Sequence, residues 1–185
     1  MAQMNRFSRW LVNRRTEVRG RRVLSRLGDN LRVPPTAAVL ELGTGAGGLL
    51  ALLQDRFRPA RVVGTDFDPS QVEAAREFLI HRWGSLPPSV ELRPADALQL
   101  PFDDGSFDFV FAMMMLHHVE EHLREYKRRP QALKEVRRVL RPGGVLAYSE
   151  ILRRSEIRAT LGELGFHPEF TRHGWRTDLG VYRRS

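Results

Sequence analysis

No cysteine occurs in the 185 residues. That absence excludes disulfides, thiolate metal sites, iron–sulfur clusters and any mechanism that needs a cysteine nucleophile. Long apolar runs are missing as well. The longest, residues 109–116, falls well short of the ~20 residues that a membrane span requires. The N-terminus has no apolar stretch of signal-peptide length, so the expected location is the cytoplasm. Lysine is nearly absent: of the 30 basic residues only Lys127 and Lys134 are not arginine, which reads as a general bias towards arginine. Carboxylates are scarce at the start of the chain, where nine arginines face only Glu17 and Asp29 across residues 1–32. That stretch holds +7 of the net charge of +8 and marks the N-terminal arm as a contact for RNA or an anionic membrane surface. No repeat or low-complexity segment interrupts the chain.

What is present fits one α/β domain. Residues 6–27 lack proline and carry Phe7, Trp10, Leu11, Val18, Leu24 and Leu27 among the arginines at roughly helical period, which predicts one or two helices. Pro34-Pro35 then breaks the chain, dividing a basic helical arm (1–35) from the main domain (36–185). Beyond it, strand-like runs at 37–42, 61–65, 89–93, 107–113 and 145–150 alternate with helical stretches at 48–57, 69–83 and 131–140. Alternation of this kind predicts a parallel sheet covered by helices. A helix at 156–164 and two final strands at 169–172 and 178–183 close the chain.

The run Glu41-Leu42-Gly43-Thr44-Gly45-Ala46-Gly47-Gly48 follows a strand and opens a helix, so backbone can approach a nucleotide-like ligand where a side chain would obstruct it. Gly43, Gly45 and Gly48 also spell G-x-G-x-x-G, with Asp66 at the end of the next strand, which keeps a NAD-dependent oxidoreductase open as a reading. A tight turn packed on the sheet is the plain alternative. Asp66 is a strand-end carboxylate able to accept two hydrogen bonds from vicinal ribose hydroxyls. Phe67 beside it suits packing on an adenine face or in the core.

Downstream text separates these readings. The glycine loop, Val63-Gly64-Thr65-Asp66, the run from Ala95 to Phe102, Ser106-Phe107-Asp108-Phe109-Val110, and the run from Arg138 to Gly144 form five ordered blocks. Together they resemble the class I S-adenosylmethionine-dependent methyltransferases, and most closely the small-molecule and lipid branch that includes ubiquinone and menaquinone C-methyltransferases. Thr44 stands where many relatives have cysteine. The resemblance implies a Rossmann-like α/β fold: a seven-stranded, mostly parallel sheet, last strand antiparallel, with helices on both faces. It implies S-adenosyl-L-methionine as cofactor, cradled by Gly43, Thr44 and Gly45. Asp96 would accept from the adenine amino group, with the Ala97 backbone at the ring edge; a turn cap is the other use for Asp96. Glu41 would hold loop amides or the methionine ammonium, and the Ala112 carbonyl would face that ammonium.

Methyl transfer from a sulfonium mainly requires alignment, so a base is optional. His117 and His118, directly after the fourth strand, are the candidate bases, with a structural role as the alternative. His118-Val119-Glu120-Glu121-His122 also spells H-x-x-E-H, but it lies inside the methyltransferase block order and no third ligand is evident, so no metal is expected. Lack of cysteine removes thiolate-dependent pyrimidine methylation, and no Asn/Asp-Pro-Pro-aromatic motif follows the fourth strand. No long insertion follows the fifth strand, so the cover over the acceptor must come from the arm and from residues 117–130. Arg14, Arg15, Arg19, Arg21 and Arg22 in the first, and Arg124, Arg128 and Arg129 in the second, suit an anionic small-molecule or lipid-like acceptor. Structured RNA is the alternative acceptor, and a cofactor-binding scaffold without catalysis is the alternative of another class.

Overall fold

Period-two alternation sorts the strand residues onto two faces. Val39, Phe109 and Phe111 pack with three helices on one side, and Leu40, Val110 and Ala112 with two helices on the other. The computed structural model describes residues 6–122, 125–175 and 177–185, with side chains from residue 17 onward. The side chains of Phe7, Trp10, Leu11, Arg14 and Arg15, and residue Arg124, lie outside the described residues.

The elements run in order α1 (Arg6–Leu27), β1 (Ala38–Leu42), α2 (Gly48–Phe57), β2 (Arg61–Asp66), α3 (Pro69–Trp83), β3 (Val90–Pro94), β4 (Phe107–Met113), α4 (Arg129–Val139), β5 (Leu140–Glu150), α5 (Arg154–Glu163), β6 (Phe166–His173) and β7 (Asp178–Arg184). The sheet has strand order β3-β2-β1-β4-β5-β7-β6. β1 pairs parallel with β2 and β4, β2 with β3 and β4 with β5, while β7 runs antiparallel to both neighbours. This is the Rossmann-like sheet expected from the sequence, with α1–α3 on one face and α4–α5 on the other. Strand order reverses between β1 and β4, which opens a crevice at their carboxyl ends.

Several boundaries differ from the sequence expectation, α4 beginning at Arg129, α5 at Arg154 and β6 at Phe166, and the difference at β5 is the largest. Strand β5 starts at Leu140 rather than 145: Phe107 pairs with Leu140 and Phe109 with Val145. Arg141-Pro142-Gly143-Gly144 therefore bulges out within the strand, with Gly143 at φ 74°. The arm also does not stand apart. Leu24, Leu27, Leu31 and Val33 are buried in the same core as α2. Arg82 near the end of α3 pairs with Asp55 of α2 at 2.7 Å and with Glu17 of α1 at 3.5 Å, and the Trp83 indole donates to Asp55 at 2.9 Å. Among the described residues no helix is long and apolar enough to cross a membrane.

Candidate functional site

The loop between β1 and α2 lies at the crevice and is held by the neighbouring strand. Thr44 N donates to the Thr65 carbonyl at 2.8 Å, and the Thr65 hydroxyl donates to the Glu41 carbonyl at 3.1 Å. Asp66 closes the arrangement: its Oδ2 accepts from Gly45 N at 2.9 Å and its Oδ1 from Asp68 N at 3.1 Å. Two glycines do different work. Gly43 sits at φ 68°, and a Cβ there would lie 2.6 Å from the Cβ of Met115, so only glycine lets β1 turn beneath the end of β4. Gly45, at φ 51°, has nothing within 4 Å of its Cβ position. Its backbone faces open space that a ligand can enter.

That space is a cavity of about 700 Å³, of the size that holds a drug-sized ligand. Glu41, Gly43, Thr44, Gly45, Asp66, Phe67, Asp96, Ala97 and His118 all line it. Phe67 is 76% exposed, a large aromatic face left open beside Asp66. Asp96 Oδ1 accepts from Leu98 N at 2.9 Å, so the residue caps its own turn while facing the cavity. Two expected residues are not in the lining. Ala112 is fully buried within β4, and Met113, Met114 and Met115 form the wall in its place. The reason is a break at Met114, which adopts φ 58° and turns the chain out of the strand, its N–H held by the Ser149 carbonyl at 2.8 Å.

His117 turns inward instead. Its Nδ1 lies 2.8 Å from Glu150 Oε1, its backbone N–H donates to Glu150 Oε2 at 3.1 Å, and Ile151 N donates to Oε1 at 2.7 Å. Burial pushes the Glu150 carboxyl up, but these hydrogen bonds together outweigh it and hold the group below its ordinary range. The pair fixes the short turn Leu116–Val119, from which His118 faces the cavity. Burial, and next the adjacent His117, hold the His118 imidazole below its ordinary value. It is therefore neutral and able to accept a proton near pH 7.

Sequence reasoning missed Glu150, because its partner lies 33 residues away. It also missed Glu120, a buried carboxylate in the cavity wall that accepts from the backbone N–H groups of Lys127, Arg128 and Arg129, each at 3.0 Å. Glu120 thus folds the end of the segment over the cavity against the first turn of α4. In the H-x-x-E-H segment, Glu121 is taken by Arg128.

Glu41 carries the most perturbed carboxyl of the site. It is 3% exposed beneath the loop, and burial raises it to about 8; the Thr44 hydroxyl, 2.8 Å from Oε2, offsets this in part and the nearby Asp66 charge adds to it. The folded chain therefore keeps a proton that the unfolded chain gives up. Stability is full below pH 4.5 and falls as pH rises towards about 8, by up to about 1.4 kcal/mol per pH unit. Urea unfolding at pH 5.5 and pH 8 is expected to show this loss in the ligand-free protein and not in Glu41→Gln. Equal pH dependence in both proteins would contradict it.

The sequence pattern of the methyltransferase domain family matches residues 40–148, more than half of the chain. The methyltransferase GfsG of Streptomyces halstedii is 34% identical over 145 residues, covering 78% of this chain and 47% of the relative. A demethylmenaquinone methyltransferase of Thermus thermophilus is 39% identical over 114 residues, covering 60% and 46%. The chain thus spans less than half the length of these curated relatives. The crystal structure of an S-adenosylmethionine-dependent methyltransferase from Aquifex aeolicus superposes with a TM-score of 0.74 over 99% of this chain and 100% of that one, at 20% identity. That likeness is one of fold, and it covers α1 as well as the sheet. With the glycine loop and Asp66 in their places around one crevice and the family pattern matched over more than half of its length, the chain belongs to the methyltransferase domain family, that of the class I S-adenosylmethionine-dependent enzymes.

Proposed function

We propose that this chain transfers the methyl group of S-adenosylmethionine to a small-molecule or lipid-like, anionic acceptor. The residues of the cavity suit the cofactor in a single direction along the sheet. Asp96 follows β3, Asp66 ends β2, the glycine loop follows β1, and Met113–Met115 end β4. Adenine over β3 and ribose over β2 leave the amino-acid end and the sulfonium over β1 and β4. The ammonium then meets Glu41, whose carboxyl ionises beside that cation.

The acceptor reading rests above all on the wall around that end. Met113, Met114, Met115, Val23 and Val119 make it apolar and adaptable, and His118 supplies a neutral base. Displacement at the sulfonium carbon needs the acceptor atom in line with the breaking bond, and positioning alone can supply ~7–11 kcal/mol. His118 would take the proton released when the acceptor is a hydroxyl or an acidic carbon. A demethylmenaquinone methyltransferase among the relatives supports an acceptor with an apolar body. Arg21, Arg22 and Arg26, exposed on the helix that also lends Arg19, Gly20 and Val23 to the cavity, suit an anionic membrane surface from which such an acceptor is drawn.

Methyl transfer from labelled S-adenosylmethionine to a panel of prenylated quinols, phenolic lipids and bulk RNA tests this. Label is expected in the lipid-like acceptors. His118→Ala is expected to lower that turnover about 10²-fold and to remove the acidic limb of its pH profile. Label in RNA alone would overturn the acceptor, and cofactor binding without any transfer would favour the scaffold reading.

A further inference from the structure

Among the described residues two cations line the cavity, Arg19 from α1 and Arg128 ahead of α4. Arg128 is engaged, its guanidinium donating to Glu121. Arg19 has no ion pair among the described residues. The neighbouring acid on α1, Glu17, is committed to Arg21 at 2.6 Å and to Arg82 at 3.5 Å. A guanidinium with five donors and no carboxylate, on the wall of a ligand cavity, is poised for an anion from the ligand.

Its position indicates which anion. Arg19, Gly20 and Val23 line the cavity together with Leu49, the second residue of α2. Gly20 is where the two helices touch: a Cβ there would lie 2.9 Å from Leu52 Cδ1 and 3.4 Å from Leu49 Cδ1. Arg19 is thereby held beside the first turn of α2, the positive end of that helix. This is the β1 side of the crevice, where the amino-acid end of the cofactor lies in the reading above. That end carries an ammonium and a carboxylate. Apart from His118, the remaining ionisable groups of the described lining, Glu41, Asp66, Asp68, Asp96 and Glu120, are all acids, which suit the ammonium and the hydroxyls and offer the carboxylate no cation.

We propose that Arg19 binds the amino-acid carboxylate of the cofactor, so that α1 is part of the cofactor site as well as its cover. The inference rests on the cofactor reading above, and two nucleosides separate the two. S-adenosylhomocysteine carries the amino-acid group; 5′-methylthioadenosine keeps the adenine, ribose and thioether and lacks it. Calorimetric titration of Arg19→Met is expected to show S-adenosylhomocysteine bound about 10- to 100-fold more weakly than by the parent protein. Binding of 5′-methylthioadenosine should change by less than about twofold, which also reports that the variant folds. Arg19→Lys should recover part of the loss, and Arg56→Met, exposed on α2 and outside the cavity lining, should change neither affinity. Unchanged affinity for S-adenosylhomocysteine in Arg19→Met, or an equal loss for both nucleosides, would overturn the proposal. A parent protein that binds neither nucleoside would remove the reading on which it rests.

Discussion

Asp66→Ala is expected to weaken binding of S-adenosylhomocysteine at least about a hundredfold while leaving the fold intact. Hydrogen bonds to a charged group contribute about 1.5–3 kcal/mol each, and two ribose hydroxyls would donate to this carboxylate. The substitution also frees Gly45 N, which donates to Asp66 Oδ2 at 2.9 Å, so the loop loses the contact that aligns it with β2. Asp66 lies at the rim rather than in the core, and its removal leaves the strand pairing of β2 untouched. Calorimetry with circular dichroism separates the two effects. Near-normal affinity in a folded Asp66→Ala protein would place the ribose elsewhere.

Gly43→Ala is expected to act in the opposite way, through stability. Its positive φ costs a side chain about 1–2 kcal/mol, and forcing a Cβ to 2.6 Å from the Met115 Cβ adds about 1–3 kcal/mol of overpacking. A loss of about 2–5 kcal/mol in urea unfolding follows, a large part of the stability of a domain this size. Gly45→Ala is the contrast. Its Cβ meets nothing within 4 Å, so the same backbone cost of about 1–2 kcal/mol stands alone, but the added methyl occupies space that the cofactor needs. The first variant should be unstable, the second stable and impaired in binding. Equal stability for the two would show that the approach of Gly43 to Met115 is not tight.

How far the sequence discloses this site depends on how local each interaction is. Strands β1, β2 and β4 and helices α2 and α3 are legible within one or two residues, because each is a continuous period bounded by glycine, proline or an acidic cap. Asp68, for instance, caps α3 by accepting from Ser70 N at 2.8 Å. The glycine loop and Asp66 are legible for the same reason. The contribution of Arg19 is not: α1 reads as an arginine-rich stripe, and only its packing on α2 through Gly20 reveals which arginine turns to the cavity. Nor does Met-Met-Met announce that the chain leaves the strand at Met114, which moves the expected contact from Ala112 to its neighbours. His117 and His118 are indistinguishable in sequence. A buried glutamate at the end of β5 draws one inward and leaves the other facing the ligand. Glu120 is hidden likewise, since its partners come from the start of α4.

The central claim is that the crevice between β1 and β4 is a site for S-adenosylmethionine and not for a dinucleotide, although the loop spells both. Titration calorimetry of the unaltered chain with S-adenosylhomocysteine and with NAD tests it most directly. Saturable one-to-one binding of S-adenosylhomocysteine, with no heat from NAD, is the predicted result. Binding of NAD with none of S-adenosylhomocysteine would contradict it.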